Sequence, residues 1–453
     1  MIQTGFIPNA HNDLVTDAAY DFYGLRLATC SLDQRIKVWQ MDENNNWTVE
    51  DDWKAHDAPV SKLSWAHPEF GSIIASSSFD RTVKIWEQAG PHVDAESQPP
   101  PAVNGSSQNH AGSGPLSSRW IERAVLADAK GTVRAVEFAP HHFGLKLATI
   151  ATDNVLRIYE CIEQPSLVSW QLTEELDVQT LAPGPSPATL SRAHTLALST
   201  PTQTHATLEG ASASLVSQAL QQGLQQQGAP AGSTRLGPGN READGGWCIS
   251  WCKDKYWGEV IAAGCGTSGI IKIIQINARR STTLLTLAPP SVASSGASTA
   301  AQSQPSASTA SADMLDSRAP IGPASYAITS VAWAPSCGRS YHLIATGGRD
   351  GHVRIWKVKP GLDDVDPEAM PETDGEDTKW TAVAVADFDQ HKSAVGRVEW
   401  NITGTTLSSA GNDGRIRLWK ATSGNVWRPA GSVGVEQAEE SSQAESKDVD
   451  MDA

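Results

Sequence analysis

The first residues in this chain whose types could do chemistry are histidines set at a recurrent distance from aspartates. His11, His56 and His391 stand 22 to 24 residues ahead of Asp33, Asp80 and Asp413. Hydroxyl side chains crowd the approach to the first two aspartates, at Thr29, Ser31, Ser76 and Ser78. An imidazole held between a carboxylate and a hydroxyl is the arrangement that activates a nucleophile for acyl transfer. The repetition argues for a different job. An enzyme needs one active site, whereas a grouping that recurs through a chain serves something every repeat requires. These residues are therefore read as hydrogen-bonded scaffolding that ties an inter-strand loop to a turn. No enzyme activity and no cofactor are expected.

The elements that must hold these groups are written in the same stretches. Five times an aspartate is followed six residues later by an aromatic that ends a β-branched run: Asp33 to Trp39, Asp80 to Trp86, Asp153 to Tyr159, Asp350 to Trp356 and Asp413 to Trp419. A run of alternating large and small residues precedes each one, as in Leu27 to Ser31. Each unit thus reads as strand, tight turn, strand. The aspartate opens the turn, where its carboxylate can accept local backbone N–H groups. Asp350-Gly351 and Asp413-Gly414 are the dipeptides that most strongly favour a two-residue hairpin. The β-branched residues that follow suit a strand. A buried Trp needs a partner for its indole N–H, and Thr29, Ser31, Ser76 or Ser78 could supply one.

Five such units make a repeat array, and their pattern is the WD40 signature. The fold class is all-β, a β-propeller. A gap between 160 and 325 hides a sixth, degenerate unit, in which Ser268 takes the aspartate place and Ile274 the aromatic place of an apolar run from Ile270 to Ile276. The count is six blades, at about 14–53, 54–90, 120–172, 245–288, 326–385 and 391–430. The sixth has its own candidate last strand in Asn425–Arg428. Six blades could close on themselves or remain open. An open ring would expose strand edges that template a partner's strand, and the residues alone leave both arrangements standing.

One propeller over 1–432 accounts for the structured part of 453 residues. Segments 91–118, 182–240, 289–320 and 360–378 lack a periodic apolar face and read as long, disordered, flexible insertions. Residues 433–453 read as an acidic disordered tail. The net charge of −16, with no basic run interleaved with aromatics, argues against direct nucleic-acid binding. No signal peptide or apolar span is seen, so any membrane association should be indirect. Six cysteines are too few for a disulfide scaffold. Cys248 and Cys252 lie four apart on a strand and so share a face as buried packing groups. Zinc would need two further ligands, and no matching pair stands near. Gly264–Gly269 lacks the Lys-Ser/Thr of a phosphate-binding loop and reads as a widened turn.

WD repeats specify a fold and leave function open. The flanking segments say more: YDFYGLRLATCSLDQ (20–34), WAHPEFG (65–71), FAPHHFGLKLAT (138–149), WAPSCGRSYHLIA (333–345) and WNITGT (400–405). Together they closely resemble the small propeller nucleoporins of the Sec-thirteen homologue, or Seh, family. The resemblance implies an open six-bladed ring, completed by an α-solenoid scaffold nucleoporin that inserts a β-blade in trans. It implies a place with other nucleoporins in the Y-shaped coat of the nuclear pore at the nuclear envelope, in support of protein and mRNA transport. It also implies membership of the SEA/GATOR complex at the vacuolar or lysosomal surface, upstream of TOR. The repeated His, Ser/Thr, Asp and Trp would be WD tetrads. On this reading the docking edge is expected at Phe6, Ile7, Leu14 and Val15 on one side and at Val426 and Trp427 on the other. A COPII-coat propeller, or a closed-ring peptide receptor of the ubiquitin-ligase or histone-reader kind, are the alternatives.

Overall fold

The computed structural model describes residues 7–43, 46–89, 120–181, 244–277, 279–289, 326–360 and 380–434. These form six four-stranded antiparallel sheets, the blades. Blade one comprises β1 (Val15–Tyr20), β2 (Arg26–Ser31), β3 (Arg35–Met41) and β4 (Trp47–Lys54). Blade two comprises β5 (Val60–Trp65), β6 (Ile73–Ser78), β7 (Val83–Gln88) and β8 (Trp120–Leu126). Blade three comprises β9 (Val133–Phe138), β10 (Lys146–Ala151), β11 (Val155–Cys161) and β12 (Trp170–Asp177). Blade four comprises β13 (Cys248–Trp251), β14 (Val260–Gly264), β15 (Ile271–Gln275) and β16 (Thr282–Leu287). Blade five comprises β17 (Ile328–Trp333), β18 (His342–Gly348), β19 (Val353–Pro360) and β20 (Trp380–Phe388). Blade six comprises β21 (Val395–Trp400), β22 (Thr406–Gly411), β23 (Arg415–Ala421) and β24 (Trp427–Gly434).

One assignment differs from the sequence expectation. Trp120–Leu126 was expected to open blade three. It is instead the last strand of blade two, pairing with β7 from Gln88↔Trp120 to Val83↔Leu126. The segment 91–118 therefore separates the third and fourth strands of one blade. The cost of closing a loop grows only slowly with its length, so a long insertion need not displace the strand that completes the ladder. Blade three accordingly begins at Val133 and runs to Asp177. The other edges extend a few residues past expectation, β20 to Phe388 and β24 to Gly434. Pro360, Val433 and Gly434 are strand residues, while the rest of 360–378 and of 433–453 lies outside the described residues. So do 91–118, 182–240, all of 289–320 after Pro289, and Phe6.

The first strands, β1, β5, β9, β13, β17 and β21, line one central channel. Side chains alternate along each strand, so each blade has two faces to cover. Five apolar cores fill the spaces between blades one and two, two and three, three and four, four and five, and five and six. Among the described residues no such core joins blade six to blade one.

Candidate docking seam and hydrogen-bonded tetrads

The missing sixth core has a definite composition on both sides. In blades two to six, the residue near the end of the third strand turns its face to the preceding blade. Trp86 packs with Trp53 of blade one, ring centroids 5.6 Å apart. Tyr159, Ile274, Trp356 and Trp419 lie in the cores that join their blades to the one before. Their cross-strand neighbours Ile74, Leu147, Ile261, Ile344 and Leu407 lie there too. Blade one presents the same face, with Tyr20, Leu27, Trp39 and Val49 in a row across its four strands, but has no blade before it. Trp47 extends the row, its ring 5.9 Å from Tyr20.

Exposure marks the seam. Val15 is 48% exposed, whereas Val60, Val133 and Val395 at the same register of β5, β9 and β21 are 0–1%. Across the gap, Ile416 of blade six is 48% exposed. Its counterparts Ile36, Val83 and Val353, which face the following blade, are 0–2%. Leu418 and Val433 share the Ile416 face, two along β23 and directly opposite on β24.

Polar joins repeat the pattern. Trp65 Nε1 donates to Ala19 O (2.9 Å), Trp251 Nε1 to Glu137 O (3.2 Å) and Trp400 Nε1 to Ala332 O (3.0 Å), each reaching back to the preceding blade. The Leu63, Phe138, Trp333 and Val398 amides donate to Asp17, Ser64, Ser250 and Ser330 in the same sense. At the seam Tyr20 holds the aromatic position and is largely exposed. The link recorded there is Arg397, which donates to Asp17 and to Ala18 O beside the channel.

Of the residues expected at the docking edge, Val15 stands on the seam face. Leu14, just ahead of β1, is exposed, and its carbonyl accepts from the Leu32 amide (3.0 Å). Ile7 is half-buried, and Val426 is exposed in the turn before β24. Trp427 is not at the seam. It is buried against Trp400 (5.4 Å) in the core shared with blade five. Strand alternation turns it to the far side of blade six. The seam residues that sequence reasoning missed are Trp39, Leu27, Tyr20, Val49 and Ile416, because which face points backwards is a property of the assembled ring.

The repeated histidines form complete tetrads in blades one, two and six. His56 Nδ1 meets Asp80 Oδ2 at 2.8 Å, its Nε2 meets Ser76 Oγ at 2.8 Å, and Trp86 Nε1 donates to Ser76 Oγ at 2.9 Å. His11 repeats this with Asp33 (3.0 Å), Thr29 (2.8 Å) and Trp39 (2.9 Å). His391 does so with Asp413 (3.0 Å), Ser409 (2.7 Å) and Trp419 (2.8 Å). In blade six Arg417 Nη1 also approaches His391 Nδ1 (2.8 Å), whereas in blades one and two the bonds need only a neutral ring. The indole donates to the hydroxyl, the hydroxyl to Nε2, and Nδ1–H to the carboxylate. This is the polar skeleton of an acyl-transfer triad, yet Ser76 and Ser409 are buried and already bound by indoles. No substrate carbonyl can reach them. Ser31 and Ser78 serve the turns, each accepting from the Asp33 or Asp80 amide (3.1 Å).

The remaining units depart from this plan. Blade five keeps Trp356 donating to Thr346 Oγ1 (3.1 Å), and Arg354 replaces the imidazole on Asp350 (2.7 Å). In blade three the Tyr159 hydroxyl donates to Asp128 (3.0 Å), and Arg157 holds Asp153 (2.8 Å). Both aspartates carry Arg four residues on, but so does Asp413, which has His391 as well as Arg417, so the distinguishing signal was the missing histidine. Blade four has no such network, and Ser268 makes only local bonds with Cys265 O and the Ile270 amide.

Burial pushes the His11 imidazole below its ordinary value of 6.5, against the pull of Asp33. Burial would raise the Asp80 carboxyl, but hydrogen bonds from His56 and Thr82 outweigh it and leave it well below 3.8. Such a histidine contributes stability that is complete above 6.5 and drains away as pH falls through its lower folded value. The aspartate contribution is complete above 3.8 and is lost on further acidification. The denaturation midpoint should therefore hold steady above neutrality, sag below 6.5 and fall most steeply below 3.8. A midpoint that climbs on acidification would contradict the tetrad charge states.

Cys248 and Cys252 are both buried in the core between blades four and five. Burial pushes each thiol up to about 12, and that of Cys265 to about 11. No group of three or more metal-ligating side chains occurs among the described residues. Of the six cysteines Cys337 alone is exposed. A thiol reagent should thus add once to the native chain, at Cys337, and at all six sites after denaturation, as counted by intact mass. Two or more rapid native adducts would contradict the burial. Among the described residues no helix is long and apolar enough to cross a membrane.

The model of the WD domain, G-beta repeat, matches residues 3–40, 47–87, 320–357 and 382–420. Across the whole chain there is similarity to Nucleoporin SEH1 of Saccharomyces cerevisiae, 30% identical and covering 93% of this chain and 96% of the relative. Nucleoporin SEH1-A of Xenopus laevis is 31% identical, covering 93% and 85%. Nucleoporin SEH1 of Homo sapiens is 29% identical with the same coverage.

Proposed function

The chain belongs to the Nucleoporin SEH1 family, and from that membership and the uncovered seam we propose that it is a non-enzymatic scaffold nucleoporin completed by a partner's β-blade. The partner is an α-solenoid scaffold nucleoporin, and the pair belongs to the Y-shaped coat of the nuclear pore, with the other nucleoporins of that coat. There it supports transport of protein and mRNA. Membership of SEA/GATOR at the vacuolar or lysosomal surface, in TOR signalling, is part of the same proposal. Contact with membranes is indirect, and no nucleic acid is bound directly.

The observation that carries this reading is the matched pair of exposed apolar faces, Val15, Tyr20 and Val49 on one side, flanking the buried Trp39 and Leu27, and Ile416 on the other. A blade between them would cover both and would offer main-chain pairing for affinity with side-chain pockets for choice. By the rule of the other joins, its inner strand would donate to blade six and accept from blade one. The test is to co-express the full chain with the N-terminal region of the α-solenoid nucleoporin and compare sizing profiles with the chain alone. A stoichiometric complex that is lost when the partner's first strands are deleted supports blade donation. No complex, together with a stable monomer, would sink it. Recovery of the endogenous protein with vesicle-coat subunits alone would favour the COPII reading.

A further inference from the structure

A second surface lies between blades five and six, away from the seam. A groove of about 490 Å³ there is lined by the apolar Leu343 and Val385 of blade five and Trp427 of blade six, with Arg339, Lys357 and Lys420 among its other lining residues. No carboxylate lines it. That is unexpected on a chain in which 51 acidic residues outnumber 35 basic ones. Among the described residues none of the three cations has an ion-pair partner. Lys357 Nζ lies over the Tyr341 ring instead, 4.2 Å from its centre. Arg339 donates to two neutral carbonyls, Gly404 O at 2.9 Å and Pro335 O, while its Nε is buried with no partner. By strand alternation Lys420 turns with Ile416 and Leu418 toward the seam side of β23, so the charges the groove itself holds are those of half-buried Arg339 and Lys357, which have no counter-charge among the described residues. The groove also borders β20, the outermost strand of blade five, which pairs only with β19 among the described strands.

We propose that this groove binds an acidic, extended segment of a partner protein, with its carboxylates on Arg339 and Lys357 and one apolar side chain against Leu343, Val385 and Trp427. Charge complementarity selects the acids. The apolar wall selects a peptide over a bare inorganic anion. The outer edge of β20 suits an extended backbone.

The test is fluorescence anisotropy of a labelled short peptide of Asp and Glu around one central Leu, titrated with the full chain. Saturable binding is expected, weakened about tenfold by Lys357→Glu and further by added salt. The same peptide with Asn and Gln in place of the acids should bind at least about tenfold more weakly. The thermal midpoint of Lys357→Glu, read alongside, separates lost binding from lost folding. Ile416→Asp at the seam should leave peptide binding unchanged, which separates this site from blade donation. Equal affinity for the neutral peptide, or indifference to Lys357→Glu with the fold retained, would overturn the proposal. Binding that appears only after removal of residues 435–453 would overturn a partner as the occupant in favour of the chain's own end.

Discussion

Ile416→Asp is expected to leave the propeller folded and to weaken its complex with the blade-donating partner by about a hundredfold or more. Ile416 is 48% exposed in the free chain, so the substitution should move stability by no more than ~0.5 kcal/mol. In the complex the same side chain would be covered, and an unpaired carboxylate there meets apolar surface with no counter-charge. Val15→Asp should act likewise from the other wall of the seam. Ile162→Asp, at an exposed position of blade three, is the control and should bind as the parent does. Co-purification from cells and titration of purified components both read the effect. Undiminished complex formation by both seam variants would mean that the partner does not enter between blades six and one.

Ser76→Ala should cost about 2–4 kcal/mol of stability, because it strands two buried groups at once. Trp86 Nε1–H loses its acceptor and His56 Nε2 loses its donor. The cavity left by one hydroxyl is too small to matter beside this. Ser268→Ala, at the corresponding turn of blade four, removes only long local bonds at an exposed site and should cost under ~0.5 kcal/mol. Urea unfolding of the two variants in parallel decides the matter. Equal losses would show that the tetrad contributes nothing beyond ordinary turn bonding. Retained partner binding by folded Ser76→Ala would separate its structural effect from any effect at the seam.

The fold was legible because the repeat is written in local chemistry. Asp at a turn, β-branched residues after it and an aromatic six residues on are constraints that each blade satisfies alone. Even blade four, stripped of its Asp and Trp, kept the apolar run that becomes β15. The misplacement of Trp120 shows the limit of that reasoning. The fourth strands of blades one, two, three, five and six each begin with a Trp, at 47, 120, 170, 380 and 427. Variable loop length hides this register, since Trp47 follows Trp39 closely and Trp120 follows Trp86 across an insertion. The seam was legible only as a blade count. Its residues were not, because chain ends are a poor guide to which face of a twisted sheet lacks a neighbour. Trp427 is near a terminus in sequence and inside a core in space. Trp39, read as one tetrad member among several, is the one without a preceding blade.

The absence of a core between blades six and one also changes what kind of object this chain is. Stacked repeats behave as a one-dimensional array in which each unit is stabilised by its nearest neighbours. A closed propeller is a circle and has no first or last member. Alone, this chain is close to a line among its described residues: apolar cores flank blades two to five on both sides and blades one and six on one, with the Arg397 link to Asp17 and Ala18 O beside the channel between them. A line can unzip from either terminus one unit at a time, whereas a circle must first be cut. An inserted blade would therefore contribute more than its own contacts, because it would remove both free ends and couple blade one to blade six. Resistance to being pulled open would then belong to the pair rather than to either chain.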